Sequence, residues 1–223
     1  MDRPLILSTK KLDVALRERI VHNGLAYMEY DAIHVKPVSF ELAAPTDYVI
    51  FTSKNAVKTV LKSAYALANT QVLCVGKQSE GLLFKKGIKT IKTAKNMGEL
   101  VFFIEKMAKT ASFLHFCGNR RLPLLAEKMI GWKANFKEIV VYETSLNIKK
   151  INAAPKAILF YSPSGVESHT NMNTIGNSNC FCIGETTAKA LPEQPKDLVV
   201  LENPSIRTLV AKAIQLLKKH QHA

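Results

Sequence analysis

Two stretches of this chain echo one another at nearly the same spacing. Ile50-Phe51-Thr52-Ser53-Lys54-Asn55-Ala56-Val57 resembles Leu159-Phe160-Tyr161-Ser162-Pro163-Ser164-Gly165-Val166, which lies 109 residues later. Val72-Leu73-Cys74-Val75-Gly76-Lys77-Gln78-Ser79 resembles Cys180-Phe181-Cys182-Ile183-Gly184-Glu185-Thr186-Thr187, at an offset of 108. Each stretch is a short apolar run, a polar turn and the start of a helical pattern. A near-constant offset across two separated motifs predicts two similar α/β halves. This constrains the fold strongly, because a strand–turn–helix unit buries both strand faces only in a parallel sheet covered by helices.

The rest of the chain alternates in the same way. Candidate strands lie at 4–8, 26–30, 48–52, 71–75, 89–91, 112–116, 139–142, 157–161, 180–183 and 198–201. Between them apolar residues fall at helical spacing: Leu12, Leu16, Ile20 and Val21; Ala56, Val60, Leu61 and Ala64; Leu100, Phe103, Ile104 and Met107; Leu209, Ala213, Leu216 and Leu217. Ten strands are many for one sheet in 223 residues. Segments 37–45 and 144–155 lack helical period and flank residues 46–143. The expected organisation is a discontinuous α/β domain, 1–35 plus 148–223, with a second α/β domain, 43–140, inserted into it. Residues 36–42 and 141–147 would be the connecting strands. Two crossings restrict relative motion to opening and closing, which suits a cleft.

Charge narrows the partners. Lysine and arginine number 31 against 18 acidic residues, a net charge of +13. That balance favours a polyanion: nucleic acid, a membrane surface, or a small molecule rich in carboxylates or phosphates. The lysines are dispersed, with Lys85-Lys86, Lys149-Lys150 and Lys218-Lys219 as the densest spots, and solvated helix faces account for many of them. No basic stripe with interleaved aromatics is visible, so no nucleic acid partner is expected. No apolar run approaches the ~20 residues of a membrane span. The first residues lack the features of a signal peptide, so a cytoplasmic protein is expected. None of the four cysteines forms a CxxC pair. Cys180 and Cys182 would share one strand face and read as buried thiols in a reducing compartment. There is no HExxH spacing, His220 and His222 sit on a tail expected to fray, and no metal site is expected.

Six segments could carry chemistry. In Thr52-Ser53-Lys54-Asn55, Ser53 is a candidate N-cap; in Tyr161-Ser162-Pro163-Ser164-Gly165, Ser162 caps and Pro163 suits the first helical position. Gly76-Lys77-Gln78-Ser79 and Gly184-Glu185-Thr186-Thr187 put a glycine at the turn and hydroxyls in the first helical turn. Helix N-termini expose backbone N–H groups and a positive dipole end, and at the carboxyl edge of a parallel sheet they receive carboxylate or phosphate. Every helix needs a cap, so one such turn says little, but four together point to an anion. Phe116-Cys117-Gly118-Asn119-Arg120-Arg121 adds arginines able to grip a carboxylate bidentately, or simply a solvated helix start. Val141-Tyr142-Glu143-Thr144 offers a tyrosine that either hydrogen-bonds into the cleft or packs. There is no GxxxxGK[ST], GxGxxG or GxSxG and no acidic pair, so nucleotide binding, triad hydrolysis and strong acid–base or metal-driven chemistry are not expected.

Taken in order, these segments resemble the uroporphyrinogen-III synthase family. Its pattern pairs an F-T-S turn, here Phe51-Thr52-Ser53, with a later S-P-S-G turn, here Ser162-Pro163-Ser164-Gly165. Its V-G turn corresponds to Val75-Gly76, its G-N turn to Gly118-Asn119 and its V-Y-x-T strand to Val141-Tyr142-Glu143-Thr144. Its I-G-x-T-T/A-x-x-A-L segment corresponds to Ile183-Gly184-Glu185-Thr186-Thr187-Ala188-Lys189-Ala190-Leu191. The match runs from about residue 4 to residue 215. Where members often carry Thr-Arg after the first strand this chain has Thr9-Lys10, which keeps the charge but loses the bidentate fork.

The resemblance implies an α/β fold: two similar domains of parallel sheet flanked by helices, joined by a two-strand connection, with an active-site cleft between them. It implies a monomer without metal or organic cofactor. The implied substrate is hydroxymethylbilane, a linear tetrapyrrole with eight carboxylates. The implied reaction is its dehydrating cyclisation, with inversion of ring D, to uroporphyrinogen III, a haem precursor. Tyr142 is implied to assist departure of the hydroxyl. Lys10, Thr52, Ser53, Gly76, Lys77, Gly118, Asn119, Ser162, Ser164, Gly184, Thr186 and Thr187 are implied to bind substrate. Positioning alone can drive such a cyclisation, because electron-rich pyrroles expel hydroxyl readily. The rival reading is a non-catalytic two-domain binder of a small polyanion.

Overall fold

The computed structural model describes residues 3–41, 44–63, 65, 67 and 70–219. In chain order its elements are β1 (Leu5–Ser8), α1 (Val14–His22), β2 (Ala26–Glu29), β3 (Ile33–Pro37), β4 (Tyr48–Phe51), α2 (Lys54–Val60), β5 (Gln71–Val75) and α3 (Lys77–Phe84). Then follow β6 (Thr90–Ala94), α4 (Met97–Glu105), β7 (Ser112–Gly118), α5 (Leu124–Gly131), β8 (Asn135–Leu146), β9 (Ala157–Phe160) and α6 (Pro163–Thr170). The last are β10 (Asn179–Cys182), α7 (Glu185–Ala188), β11 (Leu198–Val200) and α8 (Ile206–Lys219). The chain divides into two compact units, one reaching His34 and resuming at Ser145, the other Val35–Thr144.

The first unit holds a sheet of order β11-β10-β9-β1-β2, and the second a sheet of order β3-β8-β7-β4-β5-β6. Strands β1, β2, β9, β10 and β11 pair in parallel, as do β4 to β8. Read from β2, the first sheet runs 2-1-9-10-11; from β8, the second runs 8-7-4-5-6. Strands β4 and β9 hold the same place in the two orders, and so do β5 and β10. The repeat seen in the sequence is this equivalence. The two units differ in where the neighbouring pair comes from: β7 and β8 follow later in the chain, whereas β1 and β2 come from its beginning.

Helices cover both faces of each sheet. In the first unit α1 and α8 close one face, with Leu16, Ile20, Leu209, Val210, Ala213 and Leu217 buried over Ile6, Leu159 and Phe181. Val166 of α6 lies on the other face with Leu7, Ile158, Phe160, Cys180 and Cys182. In the second unit α2 and α3 pack Ala56, Val57, Val60 and Leu83 on Phe51 and Phe116, while α4 and α5 pack Leu100, Ile104, Leu125 and Met129 on Ile50 and Phe113. Burying such a Leu or Phe side chain contributes about 2 kcal/mol. The helix starts are capped by side-chain oxygens of Asp13, Ser53, Asn96 and Ser162. All four cysteines are free and buried. Among the described residues no helix is long and apolar enough to cross a membrane.

Several expectations need adjustment. Val21 is 50% exposed on α1, so the apolar face there is Leu12, Leu16 and Ile20. Ala64, His220 and His222, and residues 42–43 of the expected boundary, lie outside the described residues. The sixth strand runs Thr90–Ala94 instead of 89–91, pairing with β5 across a register shift at Val72/Leu73. The connecting strand expected at 36–42 lies earlier, at Ile33–Pro37, beside β8 at the sheet edge; Ile33-His34-Val35-Lys36 alternates apolar and polar, but only Ile33 is partly buried. Of residues 36–42, those to Pro37 are strand, and Val38 N–H donates to Val141 C=O at 3.0 Å. Residues 141–146 are the end of the 12-residue β8.

His169 on α6 is buried against Phe160 and Tyr30, with its Nδ1 3.1 Å from the Tyr30 hydroxyl and its Nε2 without a protein partner. Burial pushes its pKa down from 6.5 to about 4. Between those values the unfolded chain binds a proton that the folded unit does not. Stability therefore rises with pH across that window and is lost as pH falls from 6.5 towards 4. Denaturant unfolding should weaken by about 2 kcal/mol between pH 7.5 and pH 5 on this account. His169→Gln should flatten that part of the dependence; an unchanged slope would assign it to other groups.

Candidate active site

In a doubly wound parallel sheet the helices leave opposite faces on either side of one strand pair, which opens a crevice at the carboxyl ends of those strands. In the second unit that pair is β4 and β7. Thr52 and Ser53 follow β4; Gly118 ends β7 and Asn119 follows it. Ser53 caps α2, its Oγ accepting from Asn55 N–H at 3.1 Å. One strand outward, Gly76 precedes α3 with φ +82°, a left-handed conformation that suits glycine. The exposed Lys77 opens α3, and Lys54 Nζ donates to Gln78 Oε1 at 3.1 Å, tying the first turns of α2 and α3.

Tyr142 of β8 lies across the end of β7. A Cβ on Gly118 would stand 2.5 Å from Tyr142 Cε2 and 2.7 Å from its hydroxyl, so glycine is what lets the ring lie there. Ser53 lies close enough to the hydroxyl to lower its pKa. Burial pushes the phenol above its ordinary 10.0, more than the Ser53 contact lowers it, so it stays protonated at neutral pH. Asn119 is occupied by backbone: its Oδ1 accepts from Thr144 N–H at 2.8 Å and its Nδ2 donates to Thr144 C=O at 3.4 Å. It extends the β7–β8 pairing past the strand end while remaining exposed.

Thr52 turns to the opposite face from Ser53 and begins a polar chain. Its Oγ1 is 2.9 Å from His115 Nε2, and His115 Nδ1 is 2.9 Å from Glu138 Oε1. Arg121 clasps the other Glu138 oxygen through Nε at 2.8 Å and Nη2 at 2.7 Å. Burial would raise the Glu138 pKa, but hydrogen bonds and charge from His115 and Arg121 outweigh it and hold the carboxyl at about 2. Cys117 completes a group of possible ligand atoms within 4.8 Å of one another. The donors suit a metal ion poorly, because both His115 nitrogens and both Glu138 oxygens are engaged and a guanidinium already neutralises the carboxylate. Burial, then the charge of Glu138, pushes the Cys117 thiol up to about 11, away from the ligating thiolate. Sequence reading passed over His115 and Glu138. The only signal was a histidine inside the apolar run Phe113-Leu114-His115-Phe116, and its partner became visible only through the β7–β8 register.

In the first unit the corresponding strand pair is β1 and β9. Ser162 caps α6 by accepting from Gly165 N–H at 3.1 Å, with Pro163 at the first position and Ser164 in the first turn. An added Cβ on Gly165 would sit 3.3 Å from Ser162 Oγ and 3.7 Å from Thr9 Oγ1, so the turn after β1 meets the start of α6. Thr9 is buried and donates to Leu159 C=O at 2.7 Å. Ser8 Oγ donates to Lys10 C=O at 2.5 Å and lies 2.9 Å from the Tyr161 hydroxyl. Lys10 itself is exposed at this strand end. Gly184 has φ −179°, extended backbone open to any residue, with space where a Cβ would be. Thr186 is exposed, whereas Thr187 is only 1% exposed. Thr187 therefore faces the core, which corrects its expected role in binding.

A family model described as uroporphyrinogen-III synthase HemD matches residues 14–211. The chain belongs to the uroporphyrinogen-III synthase family. It is a cyclising lyase of porphyrin biosynthesis, and the family's substrate is hydroxymethylbilane. The fold is shared with uroporphyrinogen-III synthetase from Helicobacter pylori 26695, at TM-score 0.67 and 21% identity over 96% of this chain and 100% of that one. It is also shared with a mutant uroporphyrinogen III synthase from the extremely thermophilic bacterium Thermus thermophilus, at TM-score 0.71 and 13% identity over 97% and 99%. Comparison with the curated proteins gives no match.

Two glycines of this synthase should respond oppositely to a methyl group. Gly118→Ala should displace the Tyr142 ring, lower stability by about 1–3 kcal/mol and reduce synthase activity. Gly184→Ala should shift stability by less than about 0.5 kcal/mol. Denaturant midpoints for the pair check this, and an unshifted Gly118→Ala would mean that the ring does not rest on β7.

Proposed function

We propose that Tyr142 assists loss of the substrate hydroxyl and that the strand-end turns of both sheets hold the carboxylate arms. The observation that carries this is the Tyr142 phenol, protonated and laid over Gly118 at the carboxyl end of β7, beside Ser53 after β4. Electrons of a pyrrole expel the hydroxyl, and Tyr142 donates a hydrogen bond to the departing oxygen as the C–O bond breaks. The substituted carbon of ring D bonds to the methylene that lost the hydroxyl, its old bond to the ring C methylene breaks, and that methylene rejoins at the unsubstituted carbon of ring D; the proton lost there leaves with the hydroxide as one water, and no electrons are exchanged. Thr52, Ser53, Lys77, Lys10, Ser162, Ser164 and Thr186 supply hydroxyls and charge to acetate and propionate arms. Backbone N–H groups after Gly76 and Ser162 add to them. Many modest contacts of this kind favour positioning over strong acid–base catalysis.

The dispersed lysines favour capture of this small polyanion over binding along a nucleic acid. The free, buried cysteines support a reducing compartment, and we read the enzyme as a cytoplasmic monomer acting without a cofactor.

The test supplies freshly generated hydroxymethylbilane, then oxidises and separates the porphyrin isomers. Type III product should dominate. Type I alone, from folded protein, would favour the binder reading. Tyr142→Phe should keep the fold and lower kcat at least tenfold, whereas full activity in that variant would remove Tyr142 from its role. Ser162→Ala and Thr186→Ala should mainly raise KM, each by severalfold.

A further inference from the structure

We propose that His115 sets the direction of the Thr52 hydroxyl, and so decides whether Thr52 offers substrate a proton or a lone pair. His115 is then a positioning residue for the synthase reaction. The inference rests on the reading of Thr52 as a substrate contact.

The argument is a count of donors and acceptors. Glu138 is ionised and takes two bonds from Arg121, so its Oε1 accepts from His115 Nδ1–H. A neutral imidazole protonated at Nδ1 has a bare Nε2, which can only accept. At 2.9 Å the group facing it is Thr52 Oγ1, so the Thr52 hydroxyl donates inward. Its lone pairs then face the strand end, where a carboxylate would be repelled. Protonation of His115 makes Nε2 a donor. Thr52 accepts from it, and its own proton becomes free for a carboxylate oxygen. Glu138 Oε1 faces the imidazole, with Arg121 completing the network at the other carboxylate oxygen.

The charged and titratable groups facing His115 are Glu138 from β8, Cys117 from its own strand and Arg121 from the turn beyond. Strand β4 contributes the uncharged Thr52, β8 adds the stacked ring of Phe136, and the apolar cluster on this face contributes no charge. His115 is 1% exposed, so no solvent competes for either nitrogen. The only response open to the Thr52 hydroxyl, when the imidazole gains a proton, is to reverse.

The experiment is the pH profile of kcat/KM with hydroxymethylbilane. In the unmodified enzyme it should fall about tenfold as pH rises and the Thr52 hydroxyl turns inward, the worth of one hydrogen bond to a charged group. Thr52→Val and His115→Gln should each flatten that limb, and Thr52→Ser should restore it. If Thr52→Val leaves kcat/KM unchanged at every pH, the substrate-contact reading of Thr52 fails and the inference with it. If Thr52→Val lowers kcat/KM but His115→Gln keeps the limb, the contact stands and the His115 inference alone is overturned. A measurement independent of refolding variants is 15N NMR of the unmodified protein. It should show His115 protonated at Nδ1 and bare at Nε2 in the alkaline form, and the opposite tautomer would overturn the proposal.

Discussion

The structure depends on one topological necessity. A parallel strand must be followed by a crossover, and right-handed crossovers send helices to opposite faces on the two sides of a single strand pair. That pair is β4 and β7 in one sheet and β1 and β9 in the other. The carboxyl ends of these four strands are where the helix layers part. The residues there are polar because they cap helices and close turns, and the same N–H groups and hydroxyls are available to an anion. The polarity of these strand ends is therefore a requirement of the fold before any ligand is considered.

Strand alternation then divides the work at β4. Thr52 and Ser53 are consecutive, so they serve opposite faces of the sheet. Ser53 holds a helix start beside the Tyr142 hydroxyl; Thr52 joins the chain through His115 and Glu138 to Arg121. Neither network tolerates casual loss of a member. A buried carboxylate or imidazole left without its partner costs several kcal/mol, more than the pair contributes when intact. Gly118 is the complementary case, where the contribution is an absence: without a Cβ, an aromatic ring can rest on the end of the strand.

Much of this was legible beforehand, in a way that separates local from non-local information. The strand at Gln71–Val75 was read with its bounds, and Ser53, Ser162 and Pro163 were read in their helix-start roles. Those features follow from apolar runs and cap chemistry within a few residues. The strand at Ile33–Pro37 was expected a few residues later, at 36–42, because an exposed edge strand has no buried face to fix its bounds. Thr187 looked like a binding group because its residue type suits binding. Its burial is set by which side of a four-residue helix turns inward, as the bond of Asn119 to the Thr144 backbone is set by register.

The sequence alone determined the class of fold, the internal repeat and the family, since each depends on the order and spacing of residues near in the chain. Tertiary structure alone decided which hydroxyls are consumed by the fold and which remain. It placed His115 between Thr52 and Glu138, 63 and 23 residues away, and laid Tyr142 over Gly118. The physical reason is that a hydrogen bond needs its two atoms within about 3 Å, and only the pairing of strands brings distant residues that close.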